Sequence, residues 1–219
     1  MPRQAIIFDF DGIIIDSESV ERDLYREIFA KHKVFFDEEA YLQTIGTNAE
    51  MVYHPNRALG EALGSPELGN QVIREVRERN FKESVRRGPL PGVVRTLETA
   101  KAMGIKQAIG SSGRRDWVVD CLTALDLLHY FDEIVTWNEH LRPKPTTDIF
   151  LHALKLLEVK PEDALVIEDS YNGVLSAHRA GIPVVAIPGP VTAHLDFSLA
   201  CEVLPSMEAL DLRKYFPQN

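Results

Sequence analysis

The sequence predicts an α/β fold: a doubly wound, Rossmann-like parallel sheet with an all-helical domain inserted after the first strand. Short apolar runs and helical patterns alternate after residue 92, and this alternation is typical of a parallel sheet with helices on both faces. A further apolar run, Ala-Ile-Ile-Phe at residues 5–8, has the length and the β-branched content of a buried strand. A long helical stretch separates it from the other strands, so we infer an insertion.

The stretch between the first strand and residue 92 contains no convincing strand pattern. Ser17 is a plausible N-cap of a first helix, and Leu68, Val72 and Val76 form one apolar stripe at helical spacing. The run at residues 86–92, Arg-Arg-Gly-Pro-Leu-Pro-Gly, is typical of a linker. This stretch is therefore expected to be a separate helical unit.

The chain is expected to consist of an α/β core at residues 1–16 and 88–219 and a helical cap at residues 17–87. The cap should lie over the carboxyl edge of the sheet, because it leaves from the end of the first strand. After the linker, helices are expected at residues 93–103, 116–127, 148–157 and 174–180, and strands at residues 105–109, 133–136, 164–167 and 183–187.

The composition is that of an ordinary globular protein, with 45% hydrophobic and 26% charged residues among 219. The formal net charge of −9 argues against nucleic acid or an anionic membrane as the main partner.

Cys121 and Cys201 lack metal-ligand neighbours, so both are expected to be reduced. No apolar run approaches the ~18 residues of a membrane span, and the first strand begins too early for a signal peptide, so we expect a cytoplasmic protein.

The motif Asp9-Phe10-Asp11-Gly12 directly follows the first apolar run. A strand that ends here places both carboxylates at the carboxyl edge of the sheet, where ligands bind in open parallel sheets, and Gly12 permits the turn that follows. Neighbouring carboxylates repel each other unless a cation or a shared proton intervenes, so the motif predicts a magnesium site in which one carboxylate can also act as nucleophile. Helix capping is the plainer alternative for this motif alone, whereas the spacing excludes an EF-hand.

Three later strand ends carry residues that suit the same site. Ser111 and Ser112 stand at the start of a helix, where hydroxyls and free backbone N–H groups suit a phosphate. Lys144 lies between two prolines, in a restricted segment from which it can neutralise a developing negative charge. Glu168 and Asp169 can complete the oxygen ligands of a magnesium ion. Each has a plainer alternative, namely a capping serine, a solvated loop lysine or an aspartate N-cap, but four such ends on one edge favour a single functional site.

These motifs, in this order, resemble those of the haloacid dehalogenase superfamily. The runs Phe8-Asp9-Phe10-Asp11-Gly12 and Glu168-Asp169-Ser170-x-x-Gly173 are similar to those of the branch that contains β-phosphoglucomutase and the phosphoglycolate-phosphatase-like enzymes. The resemblance covers the whole chain, because the helical insert also matches the cap domain of that branch. It implies phosphoryl-transfer chemistry but no particular substrate.

The resemblance also implies a role for each motif residue. Asp9 would be the nucleophile that becomes an aspartyl-phosphate, and Asp11 would be the general acid and then the general base. Ser111 and Lys144 would bind the transferring phosphoryl group. The magnesium ligands it implies are Asp9, the main-chain carbonyl of Asp11, and Asp169, with Glu168 beside them.

Two details of the motifs bear on the reaction. Asp11 favours phosphate esters over carbon–halogen bonds, because an alkoxide needs a proton to leave and a halide does not. The third motif reads Lys144-Pro145-Thr146-Thr147-Asp148, so it lacks the second proline that is usual in the family, although the lysine is retained.

We therefore expect a magnesium-dependent phosphatase that acts on a small phosphorylated metabolite, such as a sugar phosphate or a phosphoglycolate-like compound. Substrate contacts are expected from Ser111, Ser112 and Lys144 in the core and from Gly46, Thr47 and Asn48 in the cap. A monomer is the default for this family.

Two alternatives remain open at this point. A phosphosugar mutase of the β-phosphoglucomutase type resembles the chain, but that enzyme has a cap histidine where this chain has Glu21 and a cap arginine where it has Ala49. A phospho-accepting signalling module of the receiver type uses a similar set of groups. Receivers lack a cap and carry the acceptor on an internal strand, so the position of Asp9 argues against this alternative.

Overall fold

The structure is a computed structural model that describes residues 4–43, 45 and 53–217. Within those residues the molecule is built on a six-stranded sheet in which all paired strands are parallel. The strands are β1 Ala5–Phe8, β2 Lys106–Ser111, β3 Glu133–Thr136, β4 Ala164–Glu168, β5 Val184–Ala186 and β6 Glu202–Val203. Their order across the sheet is β3-β2-β1-β4-β5-β6.

Helices connect most of the strands, and a short helix follows the last strand. They are α1 Ser17–Lys31, α2 Glu38–Leu42, α3 Pro55–Ala62, α4 Pro66–Arg87, α5 Val93–Ala102, α6 Arg115–Ala124, α7 Asp148–Leu157, α8 Tyr171–Arg179 and α9 Leu212–Tyr215. Short 3-10 turns lie at Leu128–Tyr130, Pro161–Asp163 and Met207–Ala209. The predicted fold class, a doubly wound parallel sheet with a helical insert, is confirmed.

Both faces of the sheet are buried, as the alternation of side chains along β1 requires. Ile6 and Phe8 lie on one face, in a cluster with apolar residues of α5 and α6. Ala5 and Ile7 lie on the other face, in a cluster with apolar residues of α7 and α8. All four residues of β1 are fully buried, and burying a side chain the size of Ile or Phe contributes about 1.5–3 kcal/mol.

The order of the strands locates the site. From β1 the chain builds β2 and β3 on one side of the sheet and then β4, β5 and β6 on the other. The carboxyl end of β1 is therefore the point at which the winding reverses, and a crevice opens there between the loops of neighbouring strands.

The helical insert (α1–α4) has its own apolar cluster, which includes Val20, Phe29, Leu59 and Val76. It lies against the carboxyl edge of the sheet: Phe81 of α4 contacts Trp117 of α6 edge to face, with ring centroids 6.3 Å apart. The proposed domain boundaries at residues 16/17 and 87/88 stay a prediction. Among the described residues, no helix combines the length and the apolar character that crossing a membrane would need.

Some elements differ from their predicted bounds, and the reasons are local. The N-cap of α1 is Asp16, whose side chain accepts the backbone N–H of Ser19 at 3.2 Å, and Ser17 is the first helical residue. Helix α6 ends at Ala124 because the left-handed residue Asp126, with φ of 55°, turns the chain. Strand β6 was not predicted, since a two-residue strand carries no detectable alternation.

Candidate active site

Residues from four strand ends meet at the carboxyl edge of the sheet. Phe8 of β1 is in register with Ile109 of β2 and with Ile167 of β4, so the residues that follow these positions lie side by side. Asp9 and Glu168 are two of them, and the loop after β3 brings Lys144 between them. The structure thus brings together the predicted residues of all four motifs, which are Asp9, Asp11, Ser111, Ser112, Lys144, Glu168 and Asp169.

Lys144 is the cationic centre of the site. Its Nζ donates to Asp9 Oδ1 at 2.5 Å and to Glu168 Oε1 at 2.6 Å, and only 6% of the residue is exposed. Burial opposes the charge of this ammonium, but the carboxylates of Asp9 and Glu168 outweigh that effect, and the pKa of Lys144 lies above its ordinary value. The lysine is therefore charged. Its ammonium also lies 4.8 Å from the centroid of the Phe150 ring.

The loops that carry the lysine and the serines support each other. The backbone N–H of Lys144 donates to Ser112 Oγ at 3.1 Å, so the Ser112 hydroxyl ties the loop after β2 to the loop after β3. Ser111 is buried at the end of β2, and its Oγ accepts the backbone N–H of Gly113 at 2.9 Å. These bonds give the turn before α6 a fixed shape beside the lysine.

Asp9, Glu168 and Asp169 form a buried carboxylate cluster in which one oxygen of each lies within 4.8 Å of the others. Burial raises the pKa of Asp9 to about 7, against the opposing effect of Lys144. Burial, together with the charges of Glu168 and Asp9, raises the pKa of Asp169 well above its ordinary value. One lysine does not compensate three buried carboxylates, and an all-oxygen set of this kind fits a hard divalent cation.

Glu168 and Asp169 differ in how they are held. Glu168 Oε2 accepts three hydrogen bonds, from the backbone N–H groups of Asp169 and Ser170 at 2.9 Å and from Ser170 Oγ at 3.0 Å. With Oε1 bound to Lys144, this carboxylate is fixed at both oxygens. Asp169 Oδ2 accepts from Thr192 Oγ1 at 3.2 Å, which leaves it more capacity for a cation.

Gly12 fills two requirements of the turn after Asp11. Its φ of +82° lies in the left-handed region that side chains disfavour, as the predicted turn required. A Cβ atom at this position would also lie 2.1 Å from Asp169 Oδ2. The absence of a side chain at Gly12 therefore allows Asp169 to approach the backbone next to Asp11.

Asp11 is held by two donors on one oxygen. Its Oδ1 accepts Ser17 Oγ at 2.5 Å and the indole Nε1 of Trp117 at 2.9 Å. Burial raises the pKa of Asp11, and these two hydrogen bonds act in the opposite direction. The side chain thus lies between the core and the helical insert, in a defined orientation.

The helical insert adds further negative charge to the crevice. Glu18 Oε2 is buried and has no hydrogen-bond partner among the described residues, and burial with the nearby charge of Asp169 raises the pKa of Glu18 well above its ordinary value. Burial and the charge of Asp11 raise the pKa of Glu21 to about 7, while Arg77 opposes that shift. The other predicted cap contacts, Gly46, Thr47 and Asn48, lie outside the described residues, as does Ala49.

Sequence reasoning missed Trp117, Thr192 and Glu18, and it assigned Ser17 only to a helix cap. Thr192 follows β5 on the same edge as the other motifs, so a hydroxyl after the fifth strand was an available signal. Trp117 has no such signal, because its contact with Asp11 depends on how the first turn of α6 faces the crevice.

Comparisons with known proteins identify the family of the chain. A family model described as haloacid dehalogenase-like hydrolase matches residues 6–187, from β1 to the end of β5. YhcW of Bacillus subtilis (strain 168) is 34% identical over 209 residues, which cover 95% of this chain and 94% of that protein. A phosphorylated carbohydrates phosphatase of Thermotoga maritima is 33% identical over 186 residues, which cover 82% of each protein.

A solved structure shows the same fold. The crystal structure of a variant of CbbY from Rhodobacter sphaeroides, in complex with xylulose-(1,5)bisphosphate, is similar to this chain, with a TM-score of 0.75 and 27% sequence identity. The match covers 95% of this chain and 96% of that one, so it includes the insert as well as the sheet. The resemblance drawn from the motifs is confirmed: the chain belongs to the haloacid dehalogenase-like hydrolase family.

Proposed function

We propose that the protein is a magnesium-dependent phosphatase that hydrolyses a small phosphorylated metabolite through an aspartyl-phosphate on Asp9. The observation that carries the proposal is the buried ammonium of Lys144 between Asp9 and Glu168, next to the buried carboxylate of Asp169. A nucleophilic carboxylate beside fixed positive charge at the switch point of the sheet suits phosphoryl transfer, which depends on positioning and charge stabilisation. The family membership and the phosphatase among the relatives support it.

Asp9, Asp169 and the main-chain carbonyl of Asp11 would hold the magnesium ion, with Glu168 beside them. The fit rests on the chemistry of the donors, which are oxygens from buried carboxylates that exceed the cations around them. When bound, magnesium would supply positive charge to the phosphoryl oxygens and favour ionised Asp9. Glu168 would act mainly on Lys144, because both of its oxygens already accept hydrogen bonds.

In the first half of the reaction, a carboxylate oxygen of Asp9 attacks phosphorus and the bond from phosphorus to the ester oxygen breaks. Lys144 and Ser111 hold the phosphoryl group, and Asp11 gives its proton to the departing oxygen, so that a neutral alcohol leaves. In the second half, ionised Asp11 takes a proton from water as the water oxygen attacks phosphorus. Inorganic phosphate leaves, and the Asp9 carboxylate and the protonated Asp11 are restored.

The mutase alternative is disfavoured by the charge of the insert. A mutase must bind a second phosphate while its sugar turns round in the site. Burial and the charges of the catalytic carboxylates raise the pKa values of Glu18 and Glu21, and where these two side chains are ionised they repel a distal phosphate. We therefore propose net hydrolysis rather than transfer back to a sugar.

Phosphate release from a panel of phosphorylated metabolites, with p-nitrophenyl phosphate as a general probe, tests the proposal. We expect activity with magnesium, none in excess chelator and recovery when magnesium is added back. Asp9→Asn, which keeps the shape of the side chain, should lose at least ~10³-fold in turnover with little loss of fold, since it removes the nucleophile.

The covalent step has its own test. Acid quenching during turnover should trap phosphate on the peptide that contains Asp9, and hydroxylamine should remove it. Full activity in excess chelator, or turnover by Asp9→Asn near the wild-type rate, would contradict the proposed function. Glucose 6-phosphate formed from β-glucose 1-phosphate faster than free phosphate would favour the mutase.

A further inference from the structure

We propose that Trp117 is a positioning residue for Asp11, which it holds so that the catalytic proton lies on the oxygen facing the phosphate-binding loop. The inference rests on the proposed function, because it concerns the acid of that reaction. Its basis is the hydrogen bond from Trp117 Nε1 to Asp11 Oδ1 at 2.9 Å, in a residue that no motif of the chain singles out.

The indole hydrogen bond selects between the two oxygens of Asp11. An indole N–H can only donate a hydrogen bond. Asp11 Oδ1, which accepts this bond, therefore cannot carry a proton that points toward the indole. The Ser17 hydroxyl donates to the same oxygen, with its Oγ 2.5 Å away, and with both donors in place the two lone-pair directions of Oδ1 are occupied. When Asp11 is protonated, the proton is therefore placed on Oδ2.

The position of Oδ2 suits proton transfer to a leaving group. A Cβ atom built on Gly113 would lie 3.2 Å from Asp11 Oδ2 and 3.1 Å from Ser111 Oγ. Asp11 Oδ2 is thus next to the loop that would hold the phosphoryl group, whereas Oδ1 faces Trp117. From this position, a proton on Oδ2 would be transferred to the ester oxygen that leaves from a phosphoryl group held by that loop.

The indole ring is fixed from two sides. It projects from the first turn of α6 in the core, and Phe81 of α4 packs edge to face against it, with an interplanar angle of 71°. The ring therefore lies where the helical insert meets the core, and its N–H direction depends on that contact. A phenylalanine could replace the apolar contact with Phe81, but it could not replace the donor.

Trp117→Phe separates the apolar contact with Phe81 from the hydrogen bond to Asp11. The first half-reaction can be followed as the burst of phenol or p-nitrophenol released from phenyl phosphate or p-nitrophenyl phosphate. These two esters share a ring, but p-nitrophenolate leaves without a proton and phenolate needs one. We expect Trp117→Phe to slow the burst from phenyl phosphate by about 10-fold or more, which is part of the usual contribution of general acid catalysis. The burst from p-nitrophenyl phosphate should slow by less than about 2-fold, because its leaving group needs no proton.

Trp137→Phe is the matched control, because the chain has two tryptophans and Trp137 is an exposed residue with 45% of its surface accessible. It should leave both rates unchanged. The preserved p-nitrophenyl phosphate burst shows that a variant is folded. A second test is the double variant Trp117→Phe/Asp11→Asn, which should release phenol no more slowly than Asp11→Asn alone, because the indole then has no acid to position.

The outcomes are distinct. Equal losses with both esters, no loss with either, or a further loss in the double variant would each overturn the positioning role of Trp117. Failure of the wild-type protein to release phenol or p-nitrophenol from either ester would overturn the proposed function itself, together with the inference that depends on it.

Discussion

Replacement of Glu21 by glutamine should make the folded protein more stable above neutral pH. Burial and the charge of Asp11 raise the pKa of Glu21 from 4.5 to about 7. The folded state therefore binds this proton more tightly than the unfolded chain does. The stabilisation that results is complete below pH 4.5 and is lost as the pH rises through about 7, because the partly buried carboxylate must then ionise. Glutamine has nearly the same shape and never ionises.

The magnitude follows from the two pKa values. They differ by about 2.5 pH units, and each unit corresponds to about 1.36 kcal/mol, so the full effect is on the order of 3 kcal/mol. That figure is an upper bound, because Glu21 is only partly buried and water at the crevice screens its charge. Urea unfolding of the metal-free protein at about pH 5 and at about pH 8 measures it.

We expect the wild-type and Glu21→Gln curves to lie close together at the lower pH and to separate at the higher pH, with the variant more stable. Glu27→Gln is a control on the same helix with the opposite sign. Glu27 accepts a hydrogen bond from Arg79 at 2.6 Å, which lowers its pKa, so its replacement should not stabilise the protein at either pH. A Glu21→Gln variant that is less stable than the wild type at the higher pH would refute the reasoning.

Two further substitutions probe the core of the site. Lys144→Met should destabilise the protein by about 3–5 kcal/mol in urea unfolding, because it leaves buried carboxylates without their cation. It should also abolish turnover. Unchanged stability would contradict the buried ion pairs of Lys144 with Asp9 and Glu168. Gly12→Ala should cost about 1–3 kcal/mol and weaken magnesium binding in calorimetric titration, since it combines strain at positive φ with a contact 2.1 Å from Asp169 Oδ2. Gly64→Ala, at φ +63° with no atom within 4 Å, is the matched control for strain alone and should leave magnesium binding unchanged.

The sheet and the catalytic edge could be predicted because both depend on short-range sequence patterns. Parallel strands share one direction, so polar residues at the ends of apolar runs are bound to meet at one edge. The contact of Asp9 with Lys144 follows from that rule, although the two residues are 135 positions apart in the sequence. Strand β3 and helix α7 were predicted at their observed bounds, since each is a single regular pattern with clear ends.

The remaining features depend on tertiary packing, which single-sequence patterns do not encode. Ser17 has the composition of a cap, but the neighbouring Asp16 supplies the cap and frees Ser17 for Asp11. Trp117 could equally have been a core residue of α6, and only the rotation of that helix turns its N–H toward Asp11. Glu18 has the pattern of a solvated first-turn carboxylate, and the packing of the insert buries its Oε2.

The charge distribution connects the insert to the chemistry of the core. Within the described part of the chain, Lys144 is the buried cation of a crevice that also contains three buried core carboxylates and the Glu18 and Glu21 side chains of the insert. Such a crevice repels anions unless a cation enters, so occupation by a divalent ion and binding of one phosphoryl group should depend on each other. When they are ionised, the acidic side chains of the insert can accept hydrogen bonds from hydroxyl groups, but they cannot favourably face a second phosphate. We therefore expect the core to bind one phosphoryl group and the ionised insert to disfavour a second anion. This distribution of charge favours the proposed hydrolysis of a monophosphate over a mutase that works through a bisphosphate.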